Sequence, residues 1–395
     1  MSIPQLASMR TCTGCLACVD ICHQKALTNY ISNDGHVYVK CDESKCILCL
    51  KCEKICPVVN GMIYSSNQLQ ESEPFSLYLK NDKIYNNSTS GGAFISIALA
   101  FIEDGGYVCG AIFTPTGNVK HIVTNNIEDI YHMQGSKYMQ SDTCGIYKKI
   151  LALLNEKKKV LFTGMGCQAA AIISYFKNNK NKHFLYVIDI ICGGVPSYLL
   201  VQKFLENEKT YIRIAGFRDK NKYVLSCYDK TGKIVYLNNK RTLPLFGFYS
   251  DLTKRYSCGD CRFCGIERES DLTIGDYWGD KDTEKHKSVV IIHSDRGKNL
   301  LEKTSNTEVH KINWSFVHQN YRYVIGKNYN NSRLQRRMLP WLFNHLSYKC
   351  LCGLYGCNLK NPFWFTITIY NHFVTKLHKF YINYKMNKIM NKIQG

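Results

Sequence analysis

The residues best suited to chemistry are eight cysteines that spell one phrase twice. Cys12, Cys15, Cys18 and Cys22 form the first CxxCxxCxxxC, and Cys46, Cys49, Cys52 and Cys56, followed by Pro57, form the second. At this spacing three thiolates of one loop can grip three irons of a cubane, while the fourth cysteine, starting a short helix, reaches the neighbouring cluster. The phrase therefore predicts crossed wiring: Cys12, Cys15, Cys18 and Cys56 on one 4Fe-4S centre, and Cys46, Cys49, Cys52 and Cys22 on the other. Structural zinc ordinarily shows two CxxC pairs held apart by a longer loop, not three cysteines crowded into each. Disulfides need an oxidising compartment, yet residues 1–11 have neither a basic flank nor an apolar run long enough for a secretory signal. Twenty cysteines without such a signal point to metal use in a reducing, cytoplasmic setting.

This segment resembles bacterial two-cluster ferredoxins, which pair short strands around their cubanes. Ala26-Leu27 leaves the first loop and the alternating run His36-Val37-Tyr38-Val39 returns as a strand. His23 stands after Cys22 where the ferredoxin pattern has proline, and Cys41 reads as a spare strand thiol.

A polar stretch rich in Ser, Gln and Glu, residues 61–74, marks a boundary, and a larger domain starts near Phe75. Residues 87–92 run into an apolar helix over 93–103, either a plain capped helix or a phosphate cradle of exposed amides. Strands are expected at 107–113, 121–124, 159–163, 184–188 and 289–293, with helices at 147–157, 170–176, 199–207 and 299–303, and antiparallel hairpins over 211–238. Gly164, Gly166 and Ala169 between strand and helix, with Asp189 about 20 residues on, satisfy a loose dinucleotide fingerprint, which makes an NAD-linked reductase the rival reading. Cys258, Cys261 and Cys264 form a third cysteine group, one thiol short of a cubane. Cys192 and Cys167, both expected on turns after strands, are the candidates for the fourth; zinc-binding or free thiols are the alternative.

Taken together, residues 88–92, 135–140, 164–168, 192–197, 258–264 and 270–279 resemble, in order and spacing, the beta subunit of coenzyme F-420 hydrogenases and dehydrogenases, over residues 10 to about 305. The plant reductase acting on hydroxymethyl chlorophyll, which uses ferredoxin, is similar. The resemblance implies an iron-sulfur flavoprotein, usually with FAD, that moves electrons between clusters and a two-electron acceptor, the deazaflavin coenzyme or a small substrate. It implies that Cys258, Cys261 and Cys264 ligate a third 4Fe-4S cluster, with Cys192 taken as the fourth ligand, and that Ser90, Gly91, Gly92, Ser136, Lys137 and Tyr138 belong to the flavin site. Lys137 near the flavin would stabilise its anionic reduced form. The family has proline where this chain has Gly166, which weakens the NAD reading.

The elements that must hold these groups suggest an α+β chain of 395 residues. A dicluster domain spans 1–60, a linker 61–74, a mixed α/β flavin-binding domain 75–332, and a basic aromatic tail 333–395. The formal net charge of +20 overstates the field, because cubanes with their thiolates are anionic. Such a surface suits an acidic electron carrier or a partner oxidoreductase subunit, and nucleic acid is not expected. No apolar run is long enough for an ordinary transmembrane helix, although the tail suits peripheral contact with an anionic membrane as well as simple packing on its own domain.

Overall fold

The computed structural model describes residues 3–62, 72–220, 222–237, 242–249, 253–279, 285–321 and 340–355. Its N-terminal unit holds β1 (Leu27–Ile31) and β2 (Val37–Cys41), paired antiparallel, beside two five-residue helices, Ala17–Ile21 and Lys51–Ile55. The two cysteine phrases adopt the same backbone. The residue before each second cysteine, Gly14 (φ 69°) or Leu48 (φ 54°), and the residue after it, Leu16 (φ 59°) or Leu50 (φ 56°), are left-handed. Such interruptions turn successive N–H groups inward and form the concavity that binds anions, iron-sulfur clusters among them. Leucine adopts this conformation at a cost of about 1–2 kcal/mol. Cys22 and Cys56 close the short helices in extended conformation, so the fourth cysteine of each phrase ends a helix, not starts one, and the third lies within it.

The larger body is built on a mixed sheet. Its strands in chain order are β3 (Glu73–Leu79), β4 (Tyr107–Phe113), β5 (Val119–Thr124), β6 (Ser141–Asp142), β7 (Val160–Met165) and β8 (Leu185–Ile190). A separate antiparallel sheet takes β9 (Tyr211–Gly216), β10 (Leu225–Asp229) and β11 (Ile234–Leu237). The main sheet resumes with β12 (Leu272–Asp276), β13 (Ser288–Ile292) and β14 (Thr307–Lys311), and its spatial order is β14-β3-β13-β12-β8-β7-β4-β5-β6. The run β12-β8-β7-β4 is parallel; β3, β13 and β14 on one flank and β5 on the other pair antiparallel.

Alternation along the central strands builds two cores. Val108, Leu161 and Ile188 face the helices Ala93–Glu103 and Asp295–Glu302. Cys109, Val160, Phe162, Leu185 and Val187 face Ile146–Asn155 and Gly166–Phe176. That second core also includes Cys15 and Ala17, so the first cysteine loop is seated against the sheet's helical cover. Asp20 fixes it there: its carboxylate accepts from the amides of Gly145 (2.7 Å) and Tyr147 (3.1 Å), at the positive end of the helix Ile146–Asn155.

Several boundaries depart from the sequence reading. The helix expected over 170–176 begins at Gly166, which puts Cys167 in its first turn and not on a free turn. The helix expected at 299–303 begins at Asp295, because the Ser294 hydroxyl caps it by accepting from the Gly297 amide (3.1 Å). The larger domain opens with a strand at Glu73, two residues before Phe75. Of the tail, residues 340–355 bury Phe343, Leu351 and Cys352 against Leu200 and Leu243, while most of the linker and the aromatic run 363–365 lie outside the described residues. Among the described residues no helix is long and apolar enough to cross a membrane.

Candidate redox centre

Among the described residues no three Cys, His, Asp or Glu side chains close on a point tightly enough for a single ion. The thiols gather instead in larger sets, as a cubane requires. The first set forms around a buried thiol. Burial pushes Cys15 up to about 12, and the facing thiols of Cys56 and Cys12 add to this. Cys18 is pushed well above the usual thiol range by burial, then by Cys15, Cys12, Cys56 and Cys52. Cys56 thus joins Cys12, Cys15 and Cys18, as crossed wiring requires. Cys22 lies instead with the second phrase: Cys41, raised to about 11 by burial, interacts with Cys46, Cys52 and Cys22. Cys41, read from sequence as a spare, therefore sits against this second set. Cys49 is exposed, flanked by Ile47, Leu48 and Leu50, which are also exposed.

The third set lies at the carboxyl ends of the parallel strands, where ligands of such sheets gather. β7 delivers Cys167 and its neighbour β8 delivers Cys192. Residues 253–255 run antiparallel to 195–197, with the Ser197 amide donating to Thr253 O and the Arg255 amide to Val195 O, both at 2.9 Å. This pairing brings Cys258, Cys261 and Cys264 onto the strand ends. Gly194 (φ 101°) lets the loop pass: a Cβ there would lie 2.7 Å from Lys254 Cδ and 3.3 Å from Cys258 Cβ. The amides of Gly194 and Val195 donate to the sulfurs of Cys192 (3.3 Å) and Cys258 (3.4 Å), contacts of the kind that tune a cluster. Burial pushes Cys192 up to about 11, with Cys258 and Cys264 opposing its ionisation. Cys167 is raised well above the thiol range by burial and by Cys261, Cys192, Cys258 and Cys15. Both candidates for the fourth position are present, and Cys167 also faces the first set. Cys56, Cys167 and Cys261 pack together on Val58, Ala170 and Phe263.

The two hydroxyl-rich loops named for the flavin are also adjacent. The Thr89 and Ser136 hydroxyls are 3.0 Å apart, and Gln134 Nε2 donates to Ser88 Oγ (2.9 Å). Ser90 Oγ donates to Lys287 O (2.8 Å). Gly91 is a packing glycine, since any Cβ would collide with Leu77 O and the Ser288 amide. Gly92 (φ 86°) opens the helix Ala93–Glu103. Lys137 donates to the carbonyls of Met133 (3.1 Å), Gln134 (2.9 Å) and Gly135 (3.2 Å), and burial lowers its pKa to about 7. Tyr138 stacks on Phe248, ring centroids 3.9 Å apart. Sequence reasoning missed Arg218, which donates to Thr89 O (3.2 Å) and pairs with Asp276 (2.6 Å), and Lys220, which donates to Tyr85 O (3.2 Å). Both sit where the 211–238 hairpins fold back, a placement no local motif signals. Gln134 Oε1 is buried without a partner among the described residues. Hydroxyls, the helix start at Gly92 and an arginine lie together here, and the orphaned acceptor Gln134 Oε1 suits a donor such as a flavin ring N–H or ribityl hydroxyl, not a phosphate.

Two stretches of the chain match known families. Residues 11–60 match the 4Fe-4S dicluster domain, and residues 157–313 match the C-terminal part of the coenzyme F420 hydrogenase/dehydrogenase beta subunit. The chain is similar to the F subunit of F(420)H(2) dehydrogenase from Methanosarcina mazei (strain ATCC BAA-159 / DSM 3647 / Goe1 / Go1 / JCM 11833 / OCM 88), 25% identical over 199 residues, which are 48% of this chain and 55% of that relative. The chain thus spans about half the length of the curated relative it matches. A chain in the F420-reducing NiFe hydrogenase complex from Methanosarcina barkeri is 16% identical, with a TM-score of 0.46 over 71% of this chain and 90% of that one.

The strand-turn-helix at Gly164 and Gly166 is not open to a dinucleotide. A Cβ at Gly166 would lie 2.9 Å from Phe263 O, so the cysteine loop covers the helix start that a pyrophosphate would need. Asp189, expected to hold a ribose, is fully buried, accepting from Arg268 Nη1 (2.6 Å) and Thr273 Oγ1 (2.5 Å). Both features that suggested NAD are structural supports of the third thiol set.

Proposed function

We propose that this chain is an iron-sulfur flavoprotein oxidoreductase that carries electrons between an external one-electron carrier and a two-electron acceptor. The observation that carries the proposal is the spatial order of its thiols. The second set reaches the surface at Cys49, the first is centred on the buried Cys15, and the third lies beside the first, since Cys56, Cys167 and Cys261 all pack against Val58, Ala170 and Phe263. In this reading Cys12, Cys15, Cys18 and Cys56 hold one cluster, Cys46, Cys49, Cys52 and Cys22 a second, and Cys258, Cys261, Cys264 and Cys192 a third. Segment 134–140 links the first cluster loop to the hydroxyl-rich site, since Gln140 Nε2 donates to Gly14 O (3.5 Å) while Lys137 and Ser136 lie a few residues before it. Bound there, FAD supplies exchange of one or two electrons and so couples single-electron clusters to hydride chemistry. Ser90, Ser136 and the start of the helix Ala93–Glu103 orient its anionic parts, and Lys137 holds a proton beside it. The exposed apolar residues around Cys49 give a carrier or partner oxidoreductase its place to dock.

Anaerobic purification followed by iron, sulfide and flavin analysis tests this. About twelve irons and one flavin per chain are expected, against about eight irons for the dicluster domain alone. Screening of deazaflavin, nicotinamide and small organic acceptors then names the substrate. A preparation with no flavin, whose clusters reduce no such acceptor except through another protein, would leave only electron relay.

A further inference from the structure

The largest fully buried side chain among the described residues is a cation. Arg255 is 1% exposed. Its guanidinium donates to three neutral acceptors: Val37 O (2.8 Å), Cys12 O (3.3 Å) and Gln140 Oε1 (3.3 Å). The ring of Tyr38 lies 4.9 Å away, and Nε has no partner. Among the described residues no carboxylate pairs with it. Asp34, beyond Tyr38, accepts from the Tyr38 hydroxyl (3.2 Å) and the His36 amide (3.2 Å) and makes no ion pair with the guanidinium. Arginine does not shed its proton in proteins, and a buried charge without a counterion is costly. The fold nevertheless makes room for it. Gly14 is left-handed, and a Cβ there would stand 2.6 Å from Nη2. Ser257 Oγ donates to the same Cys12 carbonyl (3.0 Å), and the Cys258 amide donates to Arg255 O (3.0 Å). The cation is therefore threaded from the third cysteine segment into the first cysteine loop.

We propose that Arg255 is the fixed countercharge of the first cluster, the one held by Cys12, Cys15, Cys18 and Cys56, and that it sets that cluster's reduction potential. The inference rests on the dicluster domain being loaded. A cubane with four thiolates is anionic and gains one more negative charge on reduction, so a cation at its loop favours the reduced state. No proton moves, because the guanidinium keeps its charge throughout.

The test is an anaerobic redox titration of the full chain, with the cluster signals followed by electron paramagnetic resonance. Arg255→Met is expected to lower the first cluster's reduction constant at least tenfold, about 59 mV for one electron, and to shift the second cluster less, since its loop makes no bond to Arg255. Arg255→Lys keeps the charge and is expected to return the potential most of the way. If the methionine variant does not assemble, Gln140→Glu neutralises the guanidinium in place and is expected to lower the same potential. An unchanged first-cluster potential in a loaded Arg255→Met or Gln140→Glu chain overturns the proposal. So does an equal shift at both clusters. Missing iron in the native chain would instead overturn the cluster reading itself.

Discussion

Asp189→Asn is the substitution whose cost the structure fixes most closely. Asp189 and Arg268 form an ion pair at 2.6 Å with side-chain exposures of 0% and 2%, so solvent screens almost none of it. Removing the charge while keeping the shape strips a buried guanidinium of this carboxylate, a defect of about 3–5 kcal/mol. At about 2–4 °C per kcal/mol for a domain of 150–250 residues, this lowers melting by roughly 10 °C. The damage has a defined address. Arg268 Nε also donates to Gly265 O (2.7 Å), the residue after Cys264, and Asp189 lies on β8, the strand that delivers Cys192. Asp189→Asn is therefore expected to loosen the third thiol set while the N-terminal sets remain filled. Iron should fall from about twelve toward about eight per chain, with melting followed anaerobically by circular dichroism. Asp189→Leu combined with Arg268→Met replaces the pair by apolar groups and is expected to be near neutral in melting. A single variant that melts within 1 °C of the native chain and keeps its iron would refute the reasoning.

Three further outcomes follow from other parts of the molecule. Cys56→Ser is expected to remove the cluster of the first loop and Cys22→Ser that of the second, read as selective loss of one resonance signal; loss in the uncrossed sense contradicts the wiring. Leu50 and Leu16 hold the same left-handed angle, but Leu50 is 41% exposed and Leu16 2%. Leu50→Gly should stabilise its loop by about 1 kcal/mol, while Leu16→Gly loses a buried side chain and should destabilise by about 2–4 kcal/mol, as denaturant midpoints will show. Burial lowers the His293 pKa to about 4 from 6.5, with its ring 2.7 Å from Thr273 Oγ1. The unfolded chain then binds the extra proton first, so stability is whole above pH 6.5 and declines as pH falls toward 4, by about 3 kcal/mol in all. His293→Gln should flatten that slope in a pH series of melting curves.

The thiol spacings were legible because iron-sulfur ligation is local: three ligands come from one loop, and their separation along the chain is the geometry itself. The helices 93–103 and 199–207 were legible for a similar reason: the second buries one face, Leu200, Val201 and Phe204, and its sequence repeats with the turn, while the first is an apolar run buried nearly all round. The starts of the helices Gly166–Phe176 and Asp295–Glu302 were less so, because Gly-rich or charged first turns read as loops until a cap or a packed neighbour is seen.

By itself the sequence determined that two loops carry the dicluster cysteine spacing, that a third cysteine group, Cys258, Cys261 and Cys264, lies far behind them, and that strands and helices alternate in between. Tertiary structure alone decided which distant groups meet. The parallel pairing of β7 and β8 puts Cys167 and Cys192 side by side, and the 195–197 and 253–255 pairing lays Cys258, Cys261 and Cys264 over them. It also turned Asp189 from an apparent ribose ligand into half of a buried ion pair, and it placed a lone arginine in the first cluster loop. These are contacts between residues separated by many tens of positions, governed by strand order and charge neutralisation, and no short-range pattern encodes them.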